Sequence, residues 1–443
     1  MSKIYNISKK ILPFHKKISV EGDKSLSIRW VLFSAIADGV STSENLLHSE
    51  DVIAAINMIK KLGIHVKISK SQFKIYGKGI NGFKFKPGIN LNAENSGTAG
   101  RLILGLLINS PYKIKLKGDK SLSKRDFKRI TDPLSKFGAS FRLSKKKTLP
   151  LTLQGTDNLK AINYFEKRGS AQCKSSIIFA GLKTNGLTTI RAKKSRNHTE
   201  LLCKYLNLPI SIKNKKNYDL IKIRGVKKIR PLNYKIPSDI SSASFFIVLT
   251  ILSESSRLII KNVNVNPSRI GILTILKKMG GKIYLKNKKN YKGEAIADLH
   301  VESTRKLKAI NCPSKLNSGA IDEFLLIFLL AARAKGISYF KNLSELNKKE
   351  SPRLKWGSKI LSSMGVKNII TSDSIKIFGN PKLNLNKTIT IKNYLKDHRV
   401  FMTSVIAGLV FGGNWKIYDK DSFLTSFPSF LTTLNEIQNE KKN

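Results

Sequence analysis

Acidic side chains are scarce in this chain. Only 29 Asp and Glu stand against 81 Lys and Arg in 443 residues, a formal charge of +52, although charged residues together make up an ordinary 25%. Cysteine is scarcer still: Cys173, Cys203 and Cys312 lie far apart with no C-x-x-C. That excludes a disulfide framework or a zinc ribbon and reads as reduced thiols of a cytoplasmic protein. No run of about 18 uncharged apolar residues exists, so no membrane span is expected. The longest candidates, Phe324–Ala332 and Phe401–Val410, are too short. The stretch Met1–Lys10 carries lysines but no apolar core leading to a small-residue cleavage site, which argues against a secretory signal. His15, His48, His65, His198, His300 and His398 are scattered without metal-ligand spacing, so no metal is expected.

The basic excess has two readings. Phosphate neutralisation would suit a nucleic-acid binder, yet no zinc finger, RNA-recognition aromatic motif or KH loop is present. Lys, Asn and Ile are all over-used, as an AT-rich genome produces, and the lysines are spread along the chain. Dense spots at Lys145–Lys147, Lys213–Lys216 and Lys286–Lys289 each follow a strand-like run, where a hairpin turn is expected. Compositional drift is the favoured reading. No specific nucleic-acid partner is expected, only a general attraction for anions.

What is present is repetition. In Gly22-Asp23-Lys24-Ser25-Leu26-Ser27-Ile28-Arg29 a strand-like approach breaks at Gly22 and an apolar helix follows. Lys24, Ser25 and Arg29 fall at the helix start, where free N–H groups and the dipole favour an anion. It is not a Walker A loop, because Asp23 separates Gly22 from Lys24. Similar polar clusters recur at Asn95–Thr98, Gly169–Gln172, Asp239–Ser242, Ser318–Asp322 and Asp397–Arg399. Each leads into a helix apolar nearly all round, expected at Trp30–Ala37, Leu102–Leu107, Ser176–Leu182, Phe245–Leu252, Phe324–Ala332 and Met402–Val410, and so expected to be buried. Between them amphipathic helices run into Gly63, Gly138, Asn207, Gly280 and Gly365, then into a strand. Those residues suit the left-handed position that ends a helix. A last amphipathic helix is expected at Pro428–Ile437. The pattern is six copies of an α/β unit of roughly 70–85 residues. Six copies fit two domains of three, with a seam near Pro231–Pro237. The buried helices of each domain would aim their polar N-termini one way, towards a common cleft.

Nine motifs in register carry a resemblance. They are GDKSLSIR from Gly22, NSGTAGR from Asn95, GDKSLSKR from Gly118, GSAQCKS from Gly169, SRNHTE from Ser195, SDISSAS from Ser238, NPSRIG from Asn266, KESPR from Lys349 and DHR from Asp397. The chain resembles the 5-enolpyruvylshikimate-3-phosphate synthase family, the 3-phosphoshikimate 1-carboxyvinyltransferases of the shikimate pathway. The resemblance implies an α/β (α+β) enolpyruvyl transferase fold with two domains, each of three βαβαββ units. It implies one domain at 23–237, a discontinuous second at 1–22 plus 238–443, and an active site in the cleft between them. The substrates it implies are phosphoenolpyruvate and shikimate 3-phosphate, with no cofactor, in a monomer.

By resemblance, Lys24, Ser25, Arg29, Ser170, Ala171 (through its backbone), Gln172, Ser195, Asp322 and Lys349 hold shikimate 3-phosphate. Lys24, Gly97, Arg125, Gln172, Arg353 and Arg399 hold phosphoenolpyruvate. Addition–elimination needs proton traffic, and Asp322 resembles the base at the hydroxyl, with Glu350 and Lys24 serving the methylene carbon. Read alone, Asp322 is a helix-start acid and Glu350 a solvated loop charge. Departures from the family pattern include Thr425 where a Lys is common, Asp126 where Pro is usual and Ile28 for His or Asn. His398, within DHR, reads as an orienting residue. Two alternatives stay open. The sister family transfers enolpyruvate to UDP-N-acetylglucosamine, but it carries Lys-Asn where this chain has Lys24-Ser25, and usually a loop cysteine that Gly118–Arg125 lacks. A basic nucleic-acid-binding protein on a decayed enzyme fold is the other.

Overall fold

Among the described residues the strands form six small sheets, four of which repeat one four-stranded pattern while two have three strands. The computed structural model describes residues 3–69 and 72–439. By density of internal contacts the chain forms two units. An early unit comprises Gly22–Ile236 and Lys292–Glu294; a late unit comprises Met1–Glu21, Pro237–Tyr291 and Ala295–Asn443.

The second sheet of the early unit shows the pattern whole. Strand Asn90–Asn92 leads into helix Gly97–Leu106, then strand Ile114–Lys117, helix Lys128–Ser135 and the hairpin Ser140–Leu143 with Leu151–Gln154. The first two strands pair parallel and the hairpin adds antiparallel. Helices are the natural crossover between parallel strands. The third sheet repeats this with Asn163–Glu166, Leu187–Lys193, Ile210–Asn214 and Tyr218–Arg224. The first sheet takes its parallel edge strand, Asn233–Lys235, from the far end of the unit, alongside Thr42–Glu44.

The late unit closes its sheets with borrowed strands. His15–Ile18 lies parallel to Arg257–Ile260, and Tyr5–Ile7 antiparallel to Trp415–Ile417. The fifth sheet has three strands, with isolated parallel bridges Lys308 to Lys335 and Asn311 to Tyr339 where a fourth would run.

Three helices form the centre of each unit and are buried, as their all-round apolar surfaces demand. In the early unit these are Lys24–Ala35, Gly97–Leu106 and Ala171–Lys183. Phe33 and Phe179 pack with ring centroids 4.7 Å apart. At Gly105 two of these helices approach so closely that a Cβ would sit 2.2 Å from the Ser176 carbonyl oxygen. In the late unit they are Ile240–Leu252, Phe324–Arg333 and His398–Phe411, each touching the other two. The expected helix stops have positive φ: Gly63, Gly138, Gly280 and Gly365, with Asn207 in the copy that lacks glycine.

Two local expectations change. Lys286–Lys289 lie inside strand Lys282–Tyr291, not in a turn; the reversal comes at Lys292-Gly293. That strand is the edge of its sheet, and exposed lysines there discourage edge-to-edge pairing. The last helix spans Phe430–Gln438, starting two residues later than the sequence suggests. Among the described residues, no helix is long and apolar enough to cross a membrane.

Candidate active site

Helix caps set up both groups of candidate residues. Asp23, Ser96 and Ser170 cap the three central helices of the early unit, accepting hydrogen bonds from the backbone N–H of Leu26, Ala99 and Cys173. Asp239 and Asp397 do the same in the late unit, from Ser241 and Arg399. A cap satisfies one orphan amide and leaves the neighbouring first-turn N–H groups, Ala171 among them, pointing outward at the positive end of the dipole.

In the early unit Arg29 is buried, 3% exposed, and held by neutral oxygens. Its Nε donates to Thr199 Oγ1 at 2.7 Å, Nη2 to Ser175 Oγ at 2.9 Å and Nη1 to the Ser25 carbonyl at 3.0 Å. Three of five N–H groups are thus engaged and the plane is fixed. Burial lowers the guanidinium to about 10 in spite of Glu200 and Asp23, so it stays charged at neutral pH. Glu200 itself pairs with the buried Lys174 at 2.6 Å. Gln172 lies in the first turn of its helix, accepting from Arg101 Nη1 at 2.7 Å and donating to Thr98 Oγ1 at 2.9 Å. A Cβ on Gly97 would stand 3.1 Å from Arg101 Nη1 and 3.2 Å from Arg125 Nη1. A bare backbone there keeps both guanidinium groups accessible to a ligand. Arg125 Nη2 donates to Asn95, which in turn donates to Asp119. Gly97, Arg125 and Gln172 are therefore brought together, with Arg101 as the link.

The remaining early-unit residues are held separately. Lys24 Nζ pairs with Asp51 at 2.7 Å. Ser170 is set by Glu166, whose carboxylate accepts from the backbone N–H of Arg168, Gly169 and Ser170. Burial raises the Glu166 pKa even against those bonds. The Ser195 hydroxyl is buried and makes no hydrogen bond among the described residues.

The late unit gathers Asp322, Lys349, Glu350, Arg353 and Arg399 into one ionic cluster. Arg353, 2% exposed, grips Asp397 with two bonds, Nε to Oδ2 at 2.9 Å and Nη2 to Oδ1 at 3.2 Å. Its Nη2 also bonds Glu350, and Nη1 reaches Asp322 Oδ1 at 3.5 Å. Burial opposes its charge, but Asp397 and Glu350 outweigh that and hold its pKa above the ordinary arginine value. For Asp397 burial works upward, and Arg353 more than offsets it, so its carboxyl lies below the usual range. Lys349 Nζ is 3.0 Å from Asp322 Oδ1. Arg399 Nη1 donates to the Asp322 carbonyl at 2.7 Å and lies 3.4 Å from Glu323 Oε1. Three cations thus face four carboxylates.

Asp322 does not cap its helix. It lies in the turn before, with Glu323 at the N-cap position and making no cap bond. Thr425 donates to the Ser422 carbonyl and stands 3.2 Å from His398 Nδ1. Sequence reasoning passed over Asp397, Glu323, Arg101, Glu166, Thr199 and Asp51, the side chains that fix the candidates. Asp397, Arg101 and Thr199 lie inside recognised motifs and Glu323 directly follows Asp322, so these were within reach; Glu166 and Asp51 are set only by tertiary contact. Among the described residues, no group of three or more His, Cys, Asp or Glu is placed to hold a metal ion.

The likenesses to known proteins run the length of the chain. The family model for EPSP synthase (3-phosphoshikimate 1-carboxyvinyltransferase) matches residues 9–434. The 3-phosphoshikimate 1-carboxyvinyltransferase of Zymomonas mobilis is 37% identical over 436 residues, 97% of this chain and 96% of that protein. The Bacillus subtilis enzyme of the same name is 35% identical over 431 residues, covering 97% and 98%. A solved EPSP synthase from Acinetobacter baumannii superposes with a TM-score of 0.86 at 34% identity, covering 98% of each chain. The enolpyruvyl transferase NikO of Streptomyces tendae, at 13% identity and a TM-score of 0.76, shares the fold.

Proposed function

We infer, because the chain belongs to the EPSP synthase (3-phosphoshikimate 1-carboxyvinyltransferase) family, that it transfers the enolpyruvyl group of phosphoenolpyruvate to the 5-hydroxyl of shikimate 3-phosphate and releases phosphate. The reaction belongs to the shikimate pathway, on the way to chorismate and the aromatic amino acids. The ionic cluster of Asp322, Lys349, Glu350 and Arg353 is the structural observation that supports this most directly, because it sets carboxylates for proton transfer beside cations for anion binding.

On this reading Arg29, Ser25, Ser170, the Ala171 amide, Gln172, Ser195, Lys24 and Lys349 hold shikimate 3-phosphate. Gly97, Arg125, Gln172, Lys24, Arg353 and Arg399 hold phosphoenolpyruvate, the arginines suiting paired grips on carboxylate and phosphate. In the addition step Asp322 takes the 5-hydroxyl proton as the oxygen bonds to C2 of phosphoenolpyruvate. The methylene carbon gains a proton from the Glu350 and Lys24 side. In the elimination step that carbon returns a proton and phosphate leaves. Protons and phosphate are exchanged and no electrons are, so the chemistry calls for no redox cofactor.

The same reading takes 23–237 and 1–22 plus 238–443 as the two domains, each of three βαβαββ units, with residues of both serving one reaction. The break between units at Glu21/Gly22 and Ile236/Pro237 supports it. It also takes the protein as a cytoplasmic monomer, in keeping with three buried free thiols.

A phosphate-release assay tests the activity. Release from phosphoenolpyruvate is expected with shikimate 3-phosphate as acceptor and not with UDP-N-acetylglucosamine. Turnover with the second acceptor would move the chain to the sister activity, and turnover with neither in a folded protein would reject both.

A further inference from the structure

The early unit carries a cavity of about 780 Å³ that shares no residue with the substrate-binding set. Its walls are the start of helix Lys128–Ser135, the end of strand Asn163–Glu166 and the tight turn between Leu143 and Leu151. Local bonding fixes these walls. The turn has Lys147 at φ +63° and closes through Lys147 N–H to the Ser144 carbonyl at 2.9 Å. The Lys147 carbonyl accepts from Phe127 N–H at 3.2 Å, which ties the turn to the helix start. Opposite, Glu166 pins the backbone of Arg168 and Gly169.

Charge on those walls is lopsided. Seven Lys and Arg line the cavity against three carboxylates, and all three carboxylates are already engaged. Asp132 pairs with Lys128 at 2.6 Å, and Asp126 with Arg129 at 3.4 Å and Arg168 at 3.3 Å. Glu166 is taken up by backbone amides. Lys124, Lys146, Lys147 and Lys167, all exposed, line the same space, and no carboxylate among the described residues pairs with them. Like charges gathered in a concavity focus the field and raise the local concentration of anions. The volume lies within the range of small-ligand sites, roughly 300–1,000 Å³. Tyr164 adds a ring wall and a hydroxyl; burial pushes its pKa up to about 12, so it remains a donor at neutral pH.

We propose that this cavity is a second anion site, taking a compact polyphosphate, either free or borne by a nucleoside. Four lysines lining one cavity match several adjacent phosphates better than a single carboxylate or monoester. The proposal does not rest on the transferase reading, because none of its residues is assigned to substrate.

Calorimetric titration of the full chain with ADP and, separately, with inorganic tripolyphosphate at about 150 mM salt tests it. Saturable binding at one site per chain is expected, weakened at least about tenfold in Lys146→Glu/Lys147→Glu. Lys124→Glu should weaken it in the same direction. Lys213→Glu/Lys215→Glu, on another exposed hairpin of the same unit, should leave it unchanged. Tighter ADP than tripolyphosphate assigns the nucleoside form, and the reverse assigns the free polyphosphate. Three results would overturn the site: no saturable binding, equal loss in both double variants, or displacement by shikimate 3-phosphate in simple competition.

Discussion

Both units bury an arginine at the centre of their candidate residues, yet they hold it in opposite ways. Arg29 is surrounded by hydroxyls and a carbonyl, and burial lowers its pKa. Arg353 is surrounded by Asp397, Glu350 and Asp322, and its pKa rises. A cation fixed by neutral oxygens still has its full charge to offer an anion. A cation fixed by carboxylates has less net charge to offer an anion, and it also places those acids. On the proposed reading, Arg29 is the freer of the two to grip an anion, while Arg353 also holds Asp322 and Glu350 in place for proton transfer.

The largest test of that division is Asp322→Asn. General acid–base help is worth roughly 10²–10⁴-fold, so kcat should fall by that order while KM for both substrates changes little. The structure sharpens the control. Asp322 is not the helix cap, so the variant gives up contacts to Lys349 and Arg353 rather than a cap bond. Thermal melting must show that the fold survives. Near-normal kcat would remove Asp322 from the chemistry and leave Glu350 and Lys24.

Much of this was legible in the sequence wherever the signal was local. Gly63, Gly138, Asn207, Gly280 and Gly365 mark helix ends because positive φ is a property of one residue. All-round apolar helices mark the core for a similar reason. Strand borrowing was not readable from periodicity. Tyr5–Ile7 beside Gly412–Ile417, or Asn233–Lys235 beside Asp38–Glu44, depends on partners far away in the chain. The strand holding Lys286–Lys289 looked like a turn because an exposed edge strand has no apolar face to announce it. Candidate residues stood out through their motifs, but that Thr199 would hold Arg29, Glu323 Arg399 and Asp51 Lys24 depends on closeness that only the fold creates.

Removing one partner from each buried arginine compares the two designs directly. Asp397→Ala breaks a buried two-bond ion pair and also removes the cap bond from Arg399 N–H and the bonds from Ser351, so it should cost at least about 3–5 kcal/mol of stability. Thr199→Val keeps shape but leaves the Arg29 Nε–H without its acceptor, which should cost about 1–3 kcal/mol. Denaturant unfolding of both variants reads the difference. Equal losses would mean that the arginines are held alike and would erase the contrast.

Ser195→Ala sharpens the early unit's role alone. The hydroxyl makes no hydrogen bond among the described residues, so its removal should leave Tm unchanged. If it donates to the phosphate of shikimate 3-phosphate, a bond to a charged group of about 1.5–3 kcal/mol is lost. KM for that substrate should then rise by about 10–100-fold, with KM for phosphoenolpyruvate little altered. An unchanged KM would take Ser195 out of the grip.

The smallest effect is expected at Lys183, a half-buried early-unit cation with no carboxylate partner among the described residues. Its Nζ donates to the Leu106 carbonyl at 2.9 Å and lies 5.7 Å from the Phe83 ring centre, and burial lowers its pKa to about 7 from the usual 10.5. Below about pH 7 the folded and unfolded chains both carry the proton, and the folded chain bears the full penalty of a buried charge. Between about 7 and 10.5 the unfolded chain keeps the proton while the folded chain has released it, so stability rises with pH across that window. Lys183→Met retains the apolar stem and removes the titration. The variant should therefore gain on the parent at pH 6 and lose that advantage by about pH 10. With solvent screening of the half-buried stem, the gap is on the order of 1 kcal/mol, about 2–4 °C in Tm. Taking the difference between the two proteins at each pH cancels the many other lysines. A gap that does not change with pH would show that Lys183 stays charged in the fold and that neutral oxygens alone can hold a buried cation in this unit without lowering its pKa.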